Sequence, residues 1–159
     1  MFDDFLGLPL HPFIVHATVV LLPGVALLAL AYTVLRSWRW LLRWPLALAA
    51  LGTPLLTWVT VQAGEALKEQ RGLPDAVIGT HEERGELLLY FTLAFGVVAL
   101  AAAFTMGGPS LLASGAGNRR GAGRPVQVTV GALLAVTAVL VLVQVMLTGD
   151  AGSRVVWGG

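Results

Sequence analysis

From residue 12 to residue 35 the chain runs PFIVHATVVLLPGVALLALAYTVL, without one charged side chain. An α-helix rises about 1.5 Å per residue, so this stretch is long enough to cross the roughly 30 Å hydrocarbon core of a bilayer. Three more uncharged stretches of about 19 to 22 residues follow, at 46–64, 87–106 and 126–147. The sequence therefore predicts an all-α, polytopic membrane protein. We expect a single transmembrane domain over 1–159, a four-helix bundle built from two hairpins.

The composition favours a chain solvated by lipid. Hydrophobic residues make up 57% of the 159 residues and charged residues 12%, whereas about a quarter of the residues in soluble domains are charged. A soluble protein this short could not bury so much apolar surface, but a bilayer solvates apolar faces that point outward. The chain has no cysteine, which excludes disulfides, iron–sulfur ligation and cysteine-type zinc sites. The acidic N-terminus lacks a basic n-region, so we expect the first stretch to be a retained helix and not a cleaved signal peptide.

The distribution of charge predicts the orientation. The links 36–45 and 107–125 each contain three arginines and no acidic residue. All nine acidic residues fall in the two termini or in the segment 65–86. Short arginine-rich links stay on the cytoplasmic side. We therefore expect a multi-pass protein of the cell membrane with both termini outside, and with the tryptophans at 38, 40 and 44 at the inner interface.

Three histidines are the candidate ligands, and all map to the predicted outer end: His11, His16 and His81. His16 lies within an apolar span, and we expect it to face the bundle interior because polar groups inside a membrane are costly. His11 and His81 have plainer alternatives as an interfacial residue and an exposed first-turn residue.

Two carboxylates fall in the same predicted layer. Glu65 ends the second span and Asp150 follows the fourth. We predict that they support the site by accepting the second ring proton of a histidine. Solvated helix ends are the alternative, and Asp150 could also pair with Arg154, four residues further on.

Local patterns add three expectations. Thr80 and Glu83 have capping-box spacing, which predicts that the third helix begins near His81. The Gly-rich link 107–125 predicts a mobile connection. The two hairpins form a weak repeat, because each opens with histidine and they end in the related strings AGEA (63–66) and TGDA (148–151). Such a repeat fits two halves related by an axis along the membrane normal.

Small and hydroxyl residues recur at helical spacing on three of the spans. The stripes comprise 53, 57, 60 and 64 on the second helix, 81, 85, 92 and 96 on the third, and 137, 144 and 148 on the fourth. Helix–helix contact is the plain interpretation. The alternative is that glycines beside a histidine leave room for a flat macrocycle.

Several motifs carry a family resemblance. The strings LHPFIVH (10–16), GEAL (64–67), HEERGE (81–86) and GDAGSRVVW (149–157) resemble a bacterial membrane-protein family, domain of unknown function 2231, over nearly the whole chain. The resemblance implies a four-helix membrane domain. Some members of that family are fused to Rieske-type or cytochrome c-type domains, which implies electron transfer with haem b as cofactor. Many members have histidine where this chain has Asp150, so a ligand at that position would be lost here.

Three functions stay open at this point. The first is a haem b or redox module near the outer face, with His16 and His81 as the axial pair and His11 as the substitute. The second is a site or transporter for a transition metal ion such as zinc or copper, built from the three histidines with Glu65 or Asp150. The third is a non-catalytic subunit or scaffold in a larger membrane complex.

Other classes find no support in the sequence. There is no nucleophile–base pair, phosphate loop, HExxH or dinucleotide fingerprint, so a non-enzymatic role is favoured. The net charge of +1 and the confinement of arginines to the links argue against nucleic-acid binding. The expected partners are the lipid bilayer and either redox proteins or a larger membrane complex.

Overall fold

The computed structural model describes residues 4–5, 8–110 and 117–157. The described chain is built on four helices, each long and apolar enough to cross a membrane. They are α1 (Leu10–Val34), α2 (Arg39–Arg71), α3 (Asp75–Thr105) and α4 (Arg124–Trp157). The all-α prediction with four spans is confirmed. A 3-10 turn (Arg36–Trp38) joins α1 to α2.

Two short antiparallel ladders flank the helices. β1 (Asp4–Phe5) pairs with β2 (Leu8–Pro9) just before α1. β3 (Gly108–Ser110) pairs with β4 (Gly117–Arg119) in the Gly-rich link between α3 and α4. The ladder gives the described parts of this link a defined structure; the predicted mobility of 111–116 lies outside the described residues.

The helices form a closed ring of four. Each packs against its neighbour in the chain, and α4 returns to pack against α1. As a result α1 faces α3 across one diagonal, and α2 faces α4 across the other. At the centre lie a few large side chains, among them Leu22, Tyr32 and Phe95, with many alanines.

The outer surface of the bundle is apolar as well. Val20 and Val97, both in the middle of a helix, are 72% and 70% exposed. In water such a surface would aggregate, whereas lipid solvates it. Small residues bring the backbones close, as at Gly96, where an added Cβ would lie 2.6 Å from the backbone oxygen of Ala50.

The helices extend past the predicted spans. α2 continues beyond Gly64 to Arg71, where Gly72 ends it in the left-handed conformation, φ 59°. α3 begins at Asp75, directly after Pro74. The predicted start near His81 is therefore wrong, and Thr80 lies within the helix. Proline suits the position before a helix because it needs no amide partner, and it overrides the weaker capping-box signal.

We call the end of the bundle that holds the α2–α3 turn, His11 and His81 the histidine end, and the opposite end the arginine end. At the arginine end, buried Arg39 donates to three backbone carbonyls, those of Tyr32, Thr33 and Gly107, each at 3.0 Å. The last carbonyls of a helix have no intrahelical partner, and Arg39 satisfies two of them on α1.

Candidate functional site

The histidine end contains a cavity of about 360 Å³ lined by all four helices. Its walls are mostly valine, leucine, threonine and glycine. His11 and His81 are the histidines in the lining, and a charged mouth surrounds them: Glu65, Lys68, Arg71 and Glu82. An apolar cavity with a few convergent polar groups is the usual form of a ligand site.

His11 and His81 meet across the diagonal of the bundle. Their ring centroids are 6.2 Å apart and the ring planes are inclined at 78°. His11 comes from the first turn of α1, whereas His81 lies almost two turns into α3. The helices α1 and α3 also meet at the arginine end, where the hydroxyl of Tyr32 lies 3.4 Å from the backbone oxygen of Ala102.

A backbone carbonyl fixes each imidazole. Nδ1 of His11 lies 3.1 Å from the oxygen of Thr60 on α2. Nδ1 of His81 lies 3.2 Å from the oxygen of Thr148 on α4. A carbonyl can only accept, so Nδ1 carries a proton in both rings, and in the neutral form of each ring the lone pair is on Nε2. Within the described chain, Nε2 of neither ring has a hydrogen-bond partner. This is the arrangement that prepares a histidine to bind a metal through Nε2.

A glycine lies against each ring. A Cβ added at Gly64 would lie 3.1 Å from Cε1 of His11, and one added at Gly152 would lie 2.9 Å from Cε1 of His81. Both glycines follow the acceptor threonine by four residues, so each ring packs on one turn of the neighbouring helix. Only a residue without a side chain leaves the rings in these positions.

These contacts define the internal repeat. Each half contains the pattern Thr-x-x-Ala-Gly, at 60–64 and at 148–152. The threonine accepts from a histidine of the preceding helix and the glycine supports its ring. The repeat predicted from the sequence paired Gly64 with Gly149; the contacts pair Gly64 with Gly152, so the predicted register is wrong by three residues.

His16 does not belong to this site. Its side chain is exposed on the lipid-facing surface, and its Nδ1 bonds the carbonyl of Pro12, one turn earlier on α1. The expectation that His16 faces the interior is wrong. Five residues rotate about 140° around a helix, so His11 and His16 cannot share one face. The expected pair of His16 with His81 is therefore not brought together, and His11 takes the place of His16.

The carboxylates do not orient the histidines. Glu65 accepts from the side-chain amide of Gln62 at 2.9 Å. Asp150 pairs with Arg154 at 2.8 Å, the alternative predicted from their spacing. Neither is a hydrogen-bond partner of a histidine. The predicted role of both residues is wrong because backbone carbonyls already occupy the Nδ1 positions.

The predicted three-histidine metal site is not assembled. Among the described residues, no group of three or more histidine, aspartate or glutamate side chains is placed to hold a metal ion. A transition metal in a protein usually takes at least three such ligands. The candidate ligands that the fold brings together are His11 and His81.

Polar residues missing from the sequence prediction complete the cavity. Thr18 on α1 bonds Thr60 on α2, hydroxyl to hydroxyl, at 2.7 Å. At the mouth, Lys68 contacts Asp75 at 2.7 Å and Glu82 at 2.8 Å, which ties the end of α2 to α3. Lys68 and Glu82 are fourteen residues apart in the sequence, and the turn between α2 and α3 brings them together. No spacing pattern in the sequence predicts this contact.

The threonine and glycine stripes lie where the helical spacing places them. Thr53, Thr57, Thr92 and Gln144 are buried, and Thr60, Gly64 and His81 border the cavity. Their hydroxyls mostly bond carbonyls of the same helix one turn earlier, for example Thr57 to Thr53 at 2.9 Å. The plain interpretation, contact between helices, holds for the deeper members of the stripes.

Comparison with known proteins gives one family match. The model of a family described as predicted membrane protein (DUF2231) matches residues 7–159. No curated protein and no solved structure matches the chain.

Proposed function

On the premise that this chain belongs to the DUF2231 family of predicted membrane proteins, we propose that it is a membrane-embedded haem b-binding module. His11 of α1 and His81 of α3 are the residues that would hold the haem iron. The module carries electrons for redox proteins or a larger membrane complex. The positive-inside pattern of the links supports a position of the site near the outer face.

The separation of the two imidazoles carries this proposal. A metal–imidazole bond is about 2.0–2.1 Å and each ring centre lies roughly 1 Å behind its nitrogen, so two imidazoles on opposite sides of one metal have centroids roughly 6 Å apart. The centroids of His11 and His81 are 6.2 Å apart. The Nδ1–carbonyl bonds fix the tautomer that binds metal through Nε2.

The number of donors selects haem over a bare metal ion. Two histidines leave a zinc or copper(II) ion short of ligands, and Glu65 and Asp150 have other partners. A haem iron needs only two ligands from the protein because the macrocycle supplies four. Four-helix bundles commonly build such sites from side chains on facing helices.

The surroundings fit a flat, largely apolar group. The cavity walls are apolar, and Gly64 and Gly152 place no side chain beside the rings. Arg71 at the mouth is suited to an anionic substituent, since Lys68 already pairs with Asp75 and Glu82. Held by two histidines, such a group would supply electron transfer and not substrate chemistry.

The test is the absorption spectrum of the full chain purified in detergent after haem-replete expression. We expect a Soret band that is lost in His11→Ala and in His81→Ala. His16→Ala is the matched control, since it removes an exposed histidine of the same helix, and it should keep the band. Colourless wild-type protein, or a band that survives both His11→Ala and His81→Ala, would contradict the proposal.

One observation favours a scaffold as the second candidate. The same Nδ1–carbonyl bonds tie α1 to α2 and α3 to α4, so the histidines also act as clamps within the hairpins. If clamping is their whole role, the wild type is colourless, and His11→Ala and His81→Ala lower the unfolding midpoint while His16→Ala does not.

A further inference from the structure

Two arginines converge on one carbonyl at the arginine end. Nε of Arg43, on α2, lies 2.8 Å from the backbone oxygen of Ala103 at the end of α3. Nη1 of Arg119, in β4, lies 3.0 Å from the same oxygen. A single neutral carbonyl thus holds two positive charges within a few ångströms of each other.

Among the residues that the structure describes, no acidic side chain forms an ion pair with either arginine. The described ion pairs are those of Lys68 and Arg154 at the histidine end, and neither Arg43 nor Arg119 is among them. All nine acidic residues of the sequence fall in the termini or in 65–86. Like charges this close repel, most strongly where water is scarce, so the pair is suited to an external anion.

The pair is also accessible, in contrast to Arg39. Arg39 is only 9% exposed and bonds three carbonyls. Arg43 and Arg119 are half-buried. Arg119 also donates to the carbonyls of Phe104 and Met106 at the end of α3, whereas the one hydrogen bond of Arg43 to the protein leaves most of its five donors free. Capping of backbone carbonyls explains the position of Arg39, but the single hydrogen bond of Arg43 leaves most of its donors without a role in the fold.

Exposed aromatic rings border the pair on the lipid side. The guanidinium of Arg43 lies 4.8 Å from the ring centre of Trp44 and 5.4 Å from that of Phe104. Trp44 is 47% and Phe104 55% exposed. Tryptophan is typical of the depth at which lipid headgroups meet the hydrocarbon. An anion reaching Arg43 here therefore lies at headgroup level with apolar surface below it.

We infer that Arg43 and Arg119 form a binding site for the phosphate of an anionic phospholipid. One guanidinium group can donate two parallel hydrogen bonds to phosphate oxygens. Basic pockets between transmembrane helices bind anionic headgroups. The lipid belongs to the leaflet at the arginine end, and its acyl chains lie against the exposed face beside Phe104. The site uses no residue of the haem proposal, and the two stand or fall separately.

Native mass spectrometry of the full chain in detergent tests the site, with phosphatidylglycerol and phosphatidylcholine as probes. We expect phosphatidylglycerol to bind preferentially, and Arg43→Gln to reduce the preference about five-fold, the effect of one arginine near a charged headgroup. Arg120→Gln is the matched control: it removes the same charge from an exposed position at the same end and should change the preference less than two-fold. Equal losses in both variants indicate diffuse attraction and overturn the site. Complete competition by inorganic phosphate also overturns it, because the ligand is then a free anion.

A second measurement needs no variant. Two sets of vesicles contain the same mixture of phosphatidylglycerol and phosphatidylcholine, and only one of the two lipids is brominated in each set. Brominated phosphatidylglycerol should quench tryptophan fluorescence more than brominated phosphatidylcholine, because Trp44 lies beside Arg43. Equal quenching by the two lipids would overturn the assignment even if Arg43→Gln failed to fold.

Discussion

The two ends of the bundle use the same chemistry to different effect. At the arginine end, Arg39 donates from three nitrogens to backbone carbonyls and is left almost without exposed surface. At the histidine end, His11 and His81 also donate to carbonyls, but each imidazole keeps a second nitrogen with a lone pair beside a cavity. A polar side chain whose donors and acceptors all bond within the protein stabilises the fold. A polar side chain that keeps a free donor or lone pair can also bind a ligand.

The largest effect should come from Arg39→Ala, which tests whether the arginine end is structural. The substitution leaves the carbonyls of Tyr32, Thr33 and Gly107 without their donor in a region of little water. We expect a loss of about 3 kcal/mol or more in the free energy of unfolding in detergent. Arg36→Ala, at an exposed position of the same link, should change it by less than about 0.5 kcal/mol. Similar values for the two variants would remove the contrast between the ends.

Next in size is Gly96→Ala, which disturbs the packing between the two ends. The new methyl group would lie 2.6 Å from the Ala50 carbonyl, so α2 and α3 must separate. We expect a loss of about 1–3 kcal/mol in the free energy of unfolding. Gly52→Ala is the control because nothing lies within 4 Å of its Cβ position, and it should cause no loss. A neutral Gly96→Ala would show that α2 and α3 are less closely packed than described.

Gly152→Ala should affect binding while sparing stability. Its methyl group would meet the end of the His81 side chain at 2.9 Å, and a side chain can move where a backbone cannot. We expect the affinity for haem to fall about ten-fold, as for other residues that orient a metal ligand. The free energy of unfolding of the haem-free protein should change by less than about 1 kcal/mol. Gly79→Ala has an open Cβ position on the helix of His81 and does not line the cavity, so it should leave haem affinity unchanged. Equal affinities in the two variants would contradict the support of His81 by Gly152.

The smallest effect concerns the charged mouth. Lys68→Gln removes the contacts with Asp75 and Glu82, but Asp75 is largely exposed. Surface ion pairs contribute about 0–1 kcal/mol and are screened by salt. We expect a small fall in the unfolding midpoint at low salt that disappears at high salt, measured by thermal unfolding. A large loss independent of salt would make the mouth a structural part of the fold, like the arginine end.

The sequence predicted the fold because lipid leaves a strong pattern. Four uncharged stretches and two arginine links are visible without any knowledge of side-chain packing, and the structure confirms the four helices. Helix ends were predicted less well. Beyond the spans, α2 and α4 continue through polar turns that hydropathy does not detect, and Pro74 starts α3 ahead of Thr80. The side of the membrane on which the termini lie stays a prediction.

The candidate site was predicted in part. His11 and His81 were both candidates, and helical rotation alone was enough to show that His16 could not join His11. The partners of the rings were not predictable from side-chain chemistry, because they are the backbone carbonyls of Thr60 and Thr148. Their only trace in the sequence is the repeated Thr-x-x-Ala-Gly, which becomes visible once the register is known.

The electron paramagnetic resonance spectrum of the oxidised, haem-replete protein tests the central claim most directly. His11 and His81 present nearly perpendicular rings, at 78°. The account predicts a low-spin ferric signal of the strongly anisotropic kind that two perpendicular imidazole ligands produce, and its loss in His81→Ala. A high-spin signal, a low-spin signal unchanged in His81→Ala, or no ferric signal at all would contradict the account.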